Sequence, residues 1–255
     1  AEEKETELKA SAMIDAIVQR GPEDSDTAAS EEVDEPKKVG DGKTIILIDH
    51  QDSFVHTLGN YFRQTGAEVK TLRSGPSAYA RMEKMIEKGE KPDMVVLSPG
   101  PGNPSDFGLS TSLDFLVKHK IPAFGVCLGL QGMVEHFGGT LGVLDIPVHG
   151  KPSKVTLSVA GKKDDSIFAG LPQSFTVARY HSLHGVEEYI PSCLEVTAKS
   201  DDEVVMGIRH KTLPFAAVQF HPESILTSPA HGLHILENAL SFLRYDEEDE
   251  KEASS

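Results

Sequence analysis

The chain has 255 residues, two cysteines and a formal net charge of -15. This length suffices for one large α/β domain or two small ones without disulfides, and two cysteines cannot form a disulfide framework, so we expect a cytoplasmic protein. No apolar run reaches the roughly 20 residues that span a bilayer, and the N-terminal segment is acidic where a signal peptide would be basic. We therefore expect neither a disulfide-stabilised scaffold nor a membrane protein.

The negative charge is concentrated at the two ends of the sequence. Residues 1–40 carry a net charge of -7 and residues 245–255 carry -5, which leaves only -3 for residues 41–244. Binding of nucleic acid requires clustered Lys and Arg side chains. The balanced central segment has no such cluster, so we expect no nucleic-acid partner.

The first forty residues differ in pattern from the rest. Apolar residues at helical spacing predict a short helix over residues 5–18. Residues 21–42 are rich in Pro, Ser, Asp and Glu, which predicts a flexible acidic linker. At the other end, residues 245–255 are predicted to form a disordered acidic tail.

Strand and helix patterns alternate from residue 43 onward. The apolar run Thr44–Asp49 predicts a buried strand, and helical spacing predicts a helix over Ser53–Thr65. Further strands are predicted at Ala67–Leu72, Asp93–Leu97 and Ile121–Val126, and further helices at Tyr79–Lys88 and Thr111–His119. This alternation predicts a mainly parallel, doubly wound α/β sheet with ligands at the carboxyl ends of its strands.

After Gly138 the strand patterns become shorter. They predict a smaller antiparallel extension, followed by a last helix over Ala230–Arg244. Its strands are predicted at Ser153–Val159, Glu195–Lys199, Val204–His210 and Phe215–Phe220.

The segment Gly125-Val126-Cys127-Leu128-Gly129 lies where an apolar strand ends and an amphipathic helix begins. This is the setting of a nucleophile elbow, with Cys in the place of Ser. The positive helix N-terminus stabilises a thiolate, and the amide of Leu128 can face a developing oxyanion. A lone cysteine is more often a packing residue, but the flanking glycines favour Cys127 as a nucleophile.

A cysteine nucleophile needs a base and a group that orients the base. The candidates are His221 and Glu223, which stand two positions apart after the predicted strand Phe215–Phe220 and so share one side of an extended segment. Taken alone, a His-Pro-Glu sequence is equally typical of a solvated strand end. Its pairing with the elbow makes His221 the candidate base.

The loop Ser98–Pro104 (SPGPGNP) follows the predicted strand Asp93–Leu97. It is either an ordinary Pro/Gly turn or a rigid loop whose amides bind a substrate carbonyl or carboxylate. Proline has no N–H, so only Gly100, Gly102 and Asn103 can donate there. The loop, the elbow and the His-Pro-Glu segment all follow predicted strand ends, so they are expected to meet in one crevice.

Four segments, SPGPGNP, GVCLGLQ, RYHSLHG and GIRHKTLPFAAVQFHPESILT, together resemble the class I, triad-type glutamine amidotransferases. The resemblance covers residues 43–244 and is closest to the glutaminase of fused anthranilate synthases. It implies the class I amidotransferase fold, which has a flavodoxin-like sheet. It also implies an enzyme that hydrolyses L-glutamine to glutamate and ammonia.

The same resemblance implies roles for individual residues. Cys127 would form a glutamyl thioester, His221 would act as base and then as acid, and Glu223 would orient His221. The amides of Gly100 and Leu128 would form the oxyanion hole. The residues that would hold glutamine are Gly100, Pro101, Gly102, Gln131, Ser182 and Leu183.

Residues 1–20 resemble the C-terminal end of a chorismate-binding synthase. The resemblance thus implies a fused anthranilate synthase of tryptophan biosynthesis, in which residues 43–244 pass ammonia to the synthase domain upstream. Residues 148–155 (VHGKPSKV) would contact that partner. No cofactor is expected in residues 43–244, since Mg²⁺ would belong to the synthase domain alone.

Other interpretations stay open at this point. Elbow chemistry also fits a cysteine peptidase or another acyl transferase, and the domain could be a non-catalytic regulatory module. Within the amidotransferases, the partner could instead make aminodeoxychorismate or a phenazine precursor. The pairs His181/His184 and His231/His234 lack further ligands, so no metal site is expected; His181 is expected to support Ser182, and Cys193 to be a structural or surface thiol.

Overall fold

The computed structural model describes residues 37–245, which form a nine-stranded sheet and five α-helices. The strands are β1 (Thr44–Asp49), β2 (Glu68–Arg73), β3 (Met94–Leu97), β4 (Ala123–Val126), β5 (Leu141–Leu157), β6 (Ser174–Gly185), β7 (Leu194–Ser200), β8 (Val205–His210) and β9 (Phe215–Val218). The helices are α1 (Val55–Gln64), α2 (Pro76–Glu87), α3 (Leu109–Lys118), α4 (Leu128–His136) and α5 (Pro229–Phe242). The predicted N-terminal helix, most of the predicted linker and nearly all of the predicted tail lie outside the described residues.

The sheet has the strand order β2-β1-β3-β4-β9-β8-β7-β5-β6. The first five of these strands are parallel, and the other four continue the sheet in antiparallel fashion. An order that begins 2-1-3-4 and ends its parallel part on a fifth strand is the flavodoxin-like arrangement. The predicted fold class is confirmed.

Helices cover both faces of the parallel strands. Successive residues of β1 alternate between the two faces, with Ile45 and Leu47 in one core cluster and Ile46 and Ile48 in the other. Buried residues of α1 and α5 belong to the first cluster, and those of α2, α3 and α4 belong to the second. Burial on both faces explains why these strands read as continuous apolar runs.

The folded region begins before β1. Gly40 is buried, and its N–H donates to the carbonyl oxygen of Thr65 at 2.8 Å. Residues 37–42, at the end of the segment predicted as linker, therefore lie against the domain. Among residues 37–245, no helix is both long and apolar enough to cross a membrane.

The antiparallel strands differ most from the sequence-based predictions. Strand β5 begins at Leu141, well before the predicted start at Ser153, and β6 was not predicted at all. Most of the early residues of β5 are exposed and include prolines and a glycine, whereas β6 is mixed in polarity. Strand β6 and the early part of β5 lack the apolar pattern by which a strand is detected in a sequence. Both are stabilised by pairing with each other, which a sequence does not show. Every other strand and helix predicted between residues 43 and 244 is present within three residues of its predicted bounds.

Candidate active site

The carboxyl ends of the parallel strands bring the predicted site residues together. The loop that carries Gly100 follows β3, Cys127 directly follows β4, and His221 follows β9. Strand β6 adds Ser182 and Leu183 from the antiparallel part of the sheet. In doubly wound sheets this edge is where ligands bind.

Cys127 has the backbone geometry of an elbow. Its φ of 52° and ψ of -96° lie outside the usual regions for a residue with a side chain, and it is the N-cap of α4. Its N–H donates to the carbonyl oxygen of Val218 at 2.8 Å, and its carbonyl oxygen accepts from the amide of Gln131 at 3.2 Å. Such strain persists only where the surrounding structure imposes it, and it is common at reactive residues.

His221 and Glu223 form a buried pair. The Nδ1 atom of His221 donates to Oε1 of Glu223 at 2.8 Å, and the two side chains are 2% and 0% exposed. The backbone of His221 is held on both sides, since its N–H donates to Ala178 and its carbonyl oxygen accepts from the hydroxyl of Thr227. Glu223 therefore fixes the ring orientation, which leaves Nε2 for other chemistry.

The charge state of His221 follows from its neighbours. Burial lowers the pKa of His221, but the Glu223 carboxylate and the Cys127 thiol raise it, so the pKa stands well above the ordinary imidazole value. Nε2 of His221 has no hydrogen-bond partner in the part of the chain that the structure describes. The rings of Phe54 and Tyr180 lie 5.1 and 5.0 Å from the His221 ring, centroid to centroid, and help to shield it from water.

The two residues predicted to form an oxyanion hole are neighbours. A Cβ atom placed on Gly100 would lie 2.5 Å from Cδ2 of Leu128 and 2.8 Å from Cβ of His50. Only glycine leaves enough space for the loop after β3 to approach the elbow this closely. Gly100 thus lies against Leu128, the residue that follows Cys127, and lines the same cavity as Cys127.

His50 holds the Gly100 loop in place. Its backbone N–H donates to Oγ of Ser98 at 3.0 Å, and its Nδ1 lies 3.1 Å from both Oγ and the carbonyl oxygen of Ser98. The side chain is fully buried. Burial lowers the pKa of His50 from 6.5 to about 4, although the contact with the Ser98 backbone opposes the change. His50 is therefore neutral at pH 7.

The burial of His50 predicts a loss of stability in mild acid. As pH falls below 6.5, the imidazole of the unfolded chain binds a proton, whereas the folded one stays neutral until about pH 4. The free energy of unfolding should thus fall over this window, by about 3 kcal/mol for this group. His50→Asn removes this titrating group, so the free energy of unfolding of the variant should depend less steeply on pH. Urea unfolding between pH 7 and pH 4 tests this, and equal pH slopes in wild type and variant would contradict it.

A cavity of about 140 Å³ opens at the elbow. It contains Cys127 and all six residues predicted to hold glutamine, together with three residues that were not predicted to do so. Its lining is Gly100, Pro101, Gly102, Cys127, Gln131, His149, Tyr180, His181, Ser182 and Leu183. The three residues that were not predicted are His149 on β5 and Tyr180 and His181 on β6, which pairs with β5. Because β6 was not predicted, the sequence did not indicate that these residues line the cavity.

His181 supports Leu183 and makes no hydrogen bond to Ser182, its expected partner, within the described residues. Its Nδ1 lies 2.9 Å from the carbonyl oxygen of Leu183, and Nε of Arg179 donates to its Nε2 at 3.1 Å. Burial and, to a smaller extent, the positive charge of Arg179 lower the pKa of His181 to about 4. Arg179 is itself paired with Asp202 at 2.8 Å.

His234 and Cys193 have structural contacts. His234 lies 2.8 Å from the carbonyl oxygen of Ala169 through Nε2, and Cys193 is half-buried against the second core cluster. Within residues 37–245, no three His, Cys, Asp or Glu side chains are grouped so that they could hold a metal ion.

A strained elbow cysteine beside a buried His-Glu pair, on a mostly parallel sheet, is the arrangement of α/β proteins that transfer acyl groups through a cysteine. Comparison with known proteins gives the family. The model of the family "Glutamine amidotransferase class-I" matches residues 46–241, and the chain belongs to that family.

Two curated relatives show the range of proteins that share this domain. An anthranilate synthase of Azospirillum brasilense is 48% identical over 244 residues, which are 95% of this chain and 31% of that protein. Component 2 of an aminodeoxychorismate synthase of Escherichia coli is 39% identical over 189 residues, which are 74% of this chain and 96% of that protein. The chain thus spans about a third of the length of the first relative and nearly all of the second.

A solved structure has the same fold. A Thermoplasma acidophilum protein assigned as part of a GMP synthase superposes with a TM-score of 0.67 at 25% identity. The match covers 83% of this chain and 97% of the other. The antiparallel extension therefore belongs to the shared fold along with the parallel strands.

Proposed function

We propose that this chain hydrolyses the side-chain amide of L-glutamine through a thioester on Cys127 and supplies the ammonia to a chorismate-using anthranilate synthase domain. The observation that carries the proposal is the cavity at the elbow, because the residues expected to hold glutamine and the nucleophile share it. It is a small cavity, which favours an amino-acid substrate over the peptide of a cysteine peptidase.

Acylation begins with the thiolate of Cys127. The sulfur attacks the amide carbon of glutamine, and the negative charge moves to the amide oxygen, which the N–H groups of Gly100 and Leu128 stabilise. The protonated Nε2 of His221 then gives its proton to the departing nitrogen, the C–N bond breaks and ammonia leaves. The raised pKa of His221 supports this step, since an imidazolium is present at neutral pH to serve as the acid.

Deacylation reverses the role of His221. A water molecule loses a proton to neutral Nε2 and attacks the thioester carbon, and the second oxyanion collapses to release glutamate and the thiolate. Glu223 keeps Nδ1 protonated throughout, so the same nitrogen of His221 exchanges protons in both steps.

The anthranilate synthase partner is supported by the extent of the Azospirillum match. That match covers 95% of this chain, whereas the family model matches only residues 46–241, so the similarity extends beyond the amidotransferase domain. We propose that the synthase domain is covalently attached upstream. The exposed early part of β5, which includes His149 at the cavity, is available to contact it.

An aminodeoxychorismate synthase partner is the second candidate. The Escherichia coli relative supports it, because that protein is 39% identical and is matched along nearly its whole length. Glutamine chemistry is the same in both cases, and the synthase alone determines the product.

Release of glutamate from glutamine tests the proposal. We expect the chain to produce glutamate together with the upstream synthase domain, and we expect anthranilate, detected by fluorescence, when chorismate is added. A folded protein that releases no glutamate, alone or with the synthase, would contradict the enzymatic function. Glutamate release with aminodeoxychorismate as the product would identify the second candidate.

A further inference from the structure

We propose that the side-chain amide of Gln219 is an additional catalytic group, which donates a hydrogen bond to the sulfur of Cys127 and holds it as the attacking anion. This inference rests on the proposed function, since it concerns the same nucleophile. Nε2 of Gln219 lies 3.4 Å from Sγ of Cys127, and the Gln219 side chain is fully buried. Gln219 is the only polar residue in the apolar segment Phe215–Phe220.

The direction of this hydrogen bond depends on which end of the Gln219 amide faces the sulfur. Two neighbouring contacts decide it. The amide nitrogen of Gln131 lies 3.0 Å from the carbonyl oxygen of Leu183 and 3.3 Å from Oε1 of Gln219. A backbone carbonyl only accepts, so Gln131 must present its NH₂ group there. The same NH₂ group also donates to Gln219, so the atom of Gln219 that faces it must be the oxygen Oε1. The other end of the Gln219 amide, the NH₂ group, therefore faces the sulfur of Cys127.

The carbonyl of Leu183 is itself fixed by a second donor. Arg179 has only N–H groups, so its contact with Nε2 of His181 makes that nitrogen an acceptor. The proton of the neutral ring is therefore on Nδ1, which donates to the carbonyl oxygen of Leu183. A series of hydrogen bonds with determined directions thus runs from Arg179 to the sulfur of Cys127.

A donor fixed on the sulfur favours the charged nucleophile. A hydrogen bond to an anion is stronger than one to the neutral group, and the effect is larger where water is excluded. Cys127 is 5% exposed and Gln219 is fully buried, so water does not readily replace the lost donor. Protonated His221 supplies a positive charge that attracts the thiolate. Gln219, two residues earlier in the same segment, supplies an uncharged hydrogen-bond donor.

Two substitutions separate the donor from the rest of the side chain. Gln219→Met keeps the length and removes both polar atoms. Gln219→Glu keeps an oxygen for Gln131 but places a carboxylate oxygen, which cannot donate when ionised, beside the sulfur. Gln173→Met is the matched control, because Gln173 is exposed and its amide donates only to the carbonyl oxygen of Leu157 among the contacts that the structure records.

The measurement is the rate of alkylation of Cys127 by iodoacetamide as a function of pH. It is followed on the peptide that contains Cys127, so that Cys193 does not contribute. We expect the pH of half-maximal rate to rise by about one unit in Gln219→Met and by more in Gln219→Glu. Glutaminase kcat should fall about tenfold in Gln219→Met with little change in KM, and Gln173→Met should match the wild type.

Alkylation profiles identical to the wild type in folded Gln219→Met and Gln219→Glu would overturn the inference. If only one variant folds, its profile decides in the same way. The alkylation assay needs no glutamine, so it tests the hydrogen bond even if the wild-type protein fails to release glutamate. Failure of this inference and failure of the proposed function therefore give different results.

Discussion

Replacement of Cys127 by serine is expected to lower glutamine hydrolysis by about a thousandfold or more without loss of the fold. A serine oxygen occupies nearly the same position at the end of β4, but it is not ionised at neutral pH and His221 must remove its proton during the attack. The hydrogen bonds to Val218 and Gln131 that hold residue 127 come from its main chain, and serine keeps them. The elbow should therefore be preserved in the variant. Glutamate release and circular dichroism measure the two effects.

Ammonia supplies the control for this substitution. Added ammonia bypasses the thioester, so Cys127→Ser should still support product formation by the attached synthase at alkaline pH, where unprotonated ammonia is present. Near-normal glutamine-dependent activity in the variant would show that Cys127 is not the nucleophile.

Replacement of Gly129 by alanine should damage both the fold and the elbow. A Cβ atom at Gly129 would lie 2.7 Å from the carbonyl oxygen of Leu97 and 3.1 Å from its Cβ. Helix α4 would have to move away from β3 to relieve these contacts, and Cys127 and Leu128 would move with it. We expect the free energy of unfolding to fall by about 3 kcal/mol, as measured in urea. Glutaminase activity should fall in parallel.

Gly59 provides the matched control, because it is also a glycine within a helix. A Cβ atom there would have its closest contact at 3.4 Å, with the Leu47 side chain, which is ordinary packing. Gly59→Ala should therefore stay within about 1 kcal/mol of wild type, since alanine favours the helix. Equal effects of the two substitutions would show that the close packing of α4 on β3 is not important.

The parallel half of the fold could be predicted because its signals are local. Each buried strand is an apolar run, and each helix has one apolar stripe, so β1, β4 and α4 can be identified without knowledge of their partners. Strand β6 is different, because Arg179 and His181 are buried within it and interrupt its apolar pattern. Arg179 pairs with Asp202, and His181 contacts the carbonyl oxygen of Leu183, but the apolar pattern of a sequence does not reveal such partners.

Some residues of the candidate site could likewise be predicted from local sequence, and others could not. Cys127, His221 and Glu223 stand in short motifs whose spacing carries chemical information. Gln219 contacts a residue 92 positions away, and the contact depends on the direction of one side chain in a folded strand end. The available signal was one polar residue in an apolar segment, which indicates a buried partner but does not identify it.

The backbone at Cys127 has a consequence for how this domain evolves and can be engineered. Glycine adopts a positive φ without penalty, whereas a residue with a Cβ atom costs about 1 to 2 kcal/mol there. The position that requires a thiol for activity is thus one where stability alone favours glycine. Selection for a more stable protein and selection for a working one act in opposite directions at this residue, so consensus-based stabilisation should leave it unchanged.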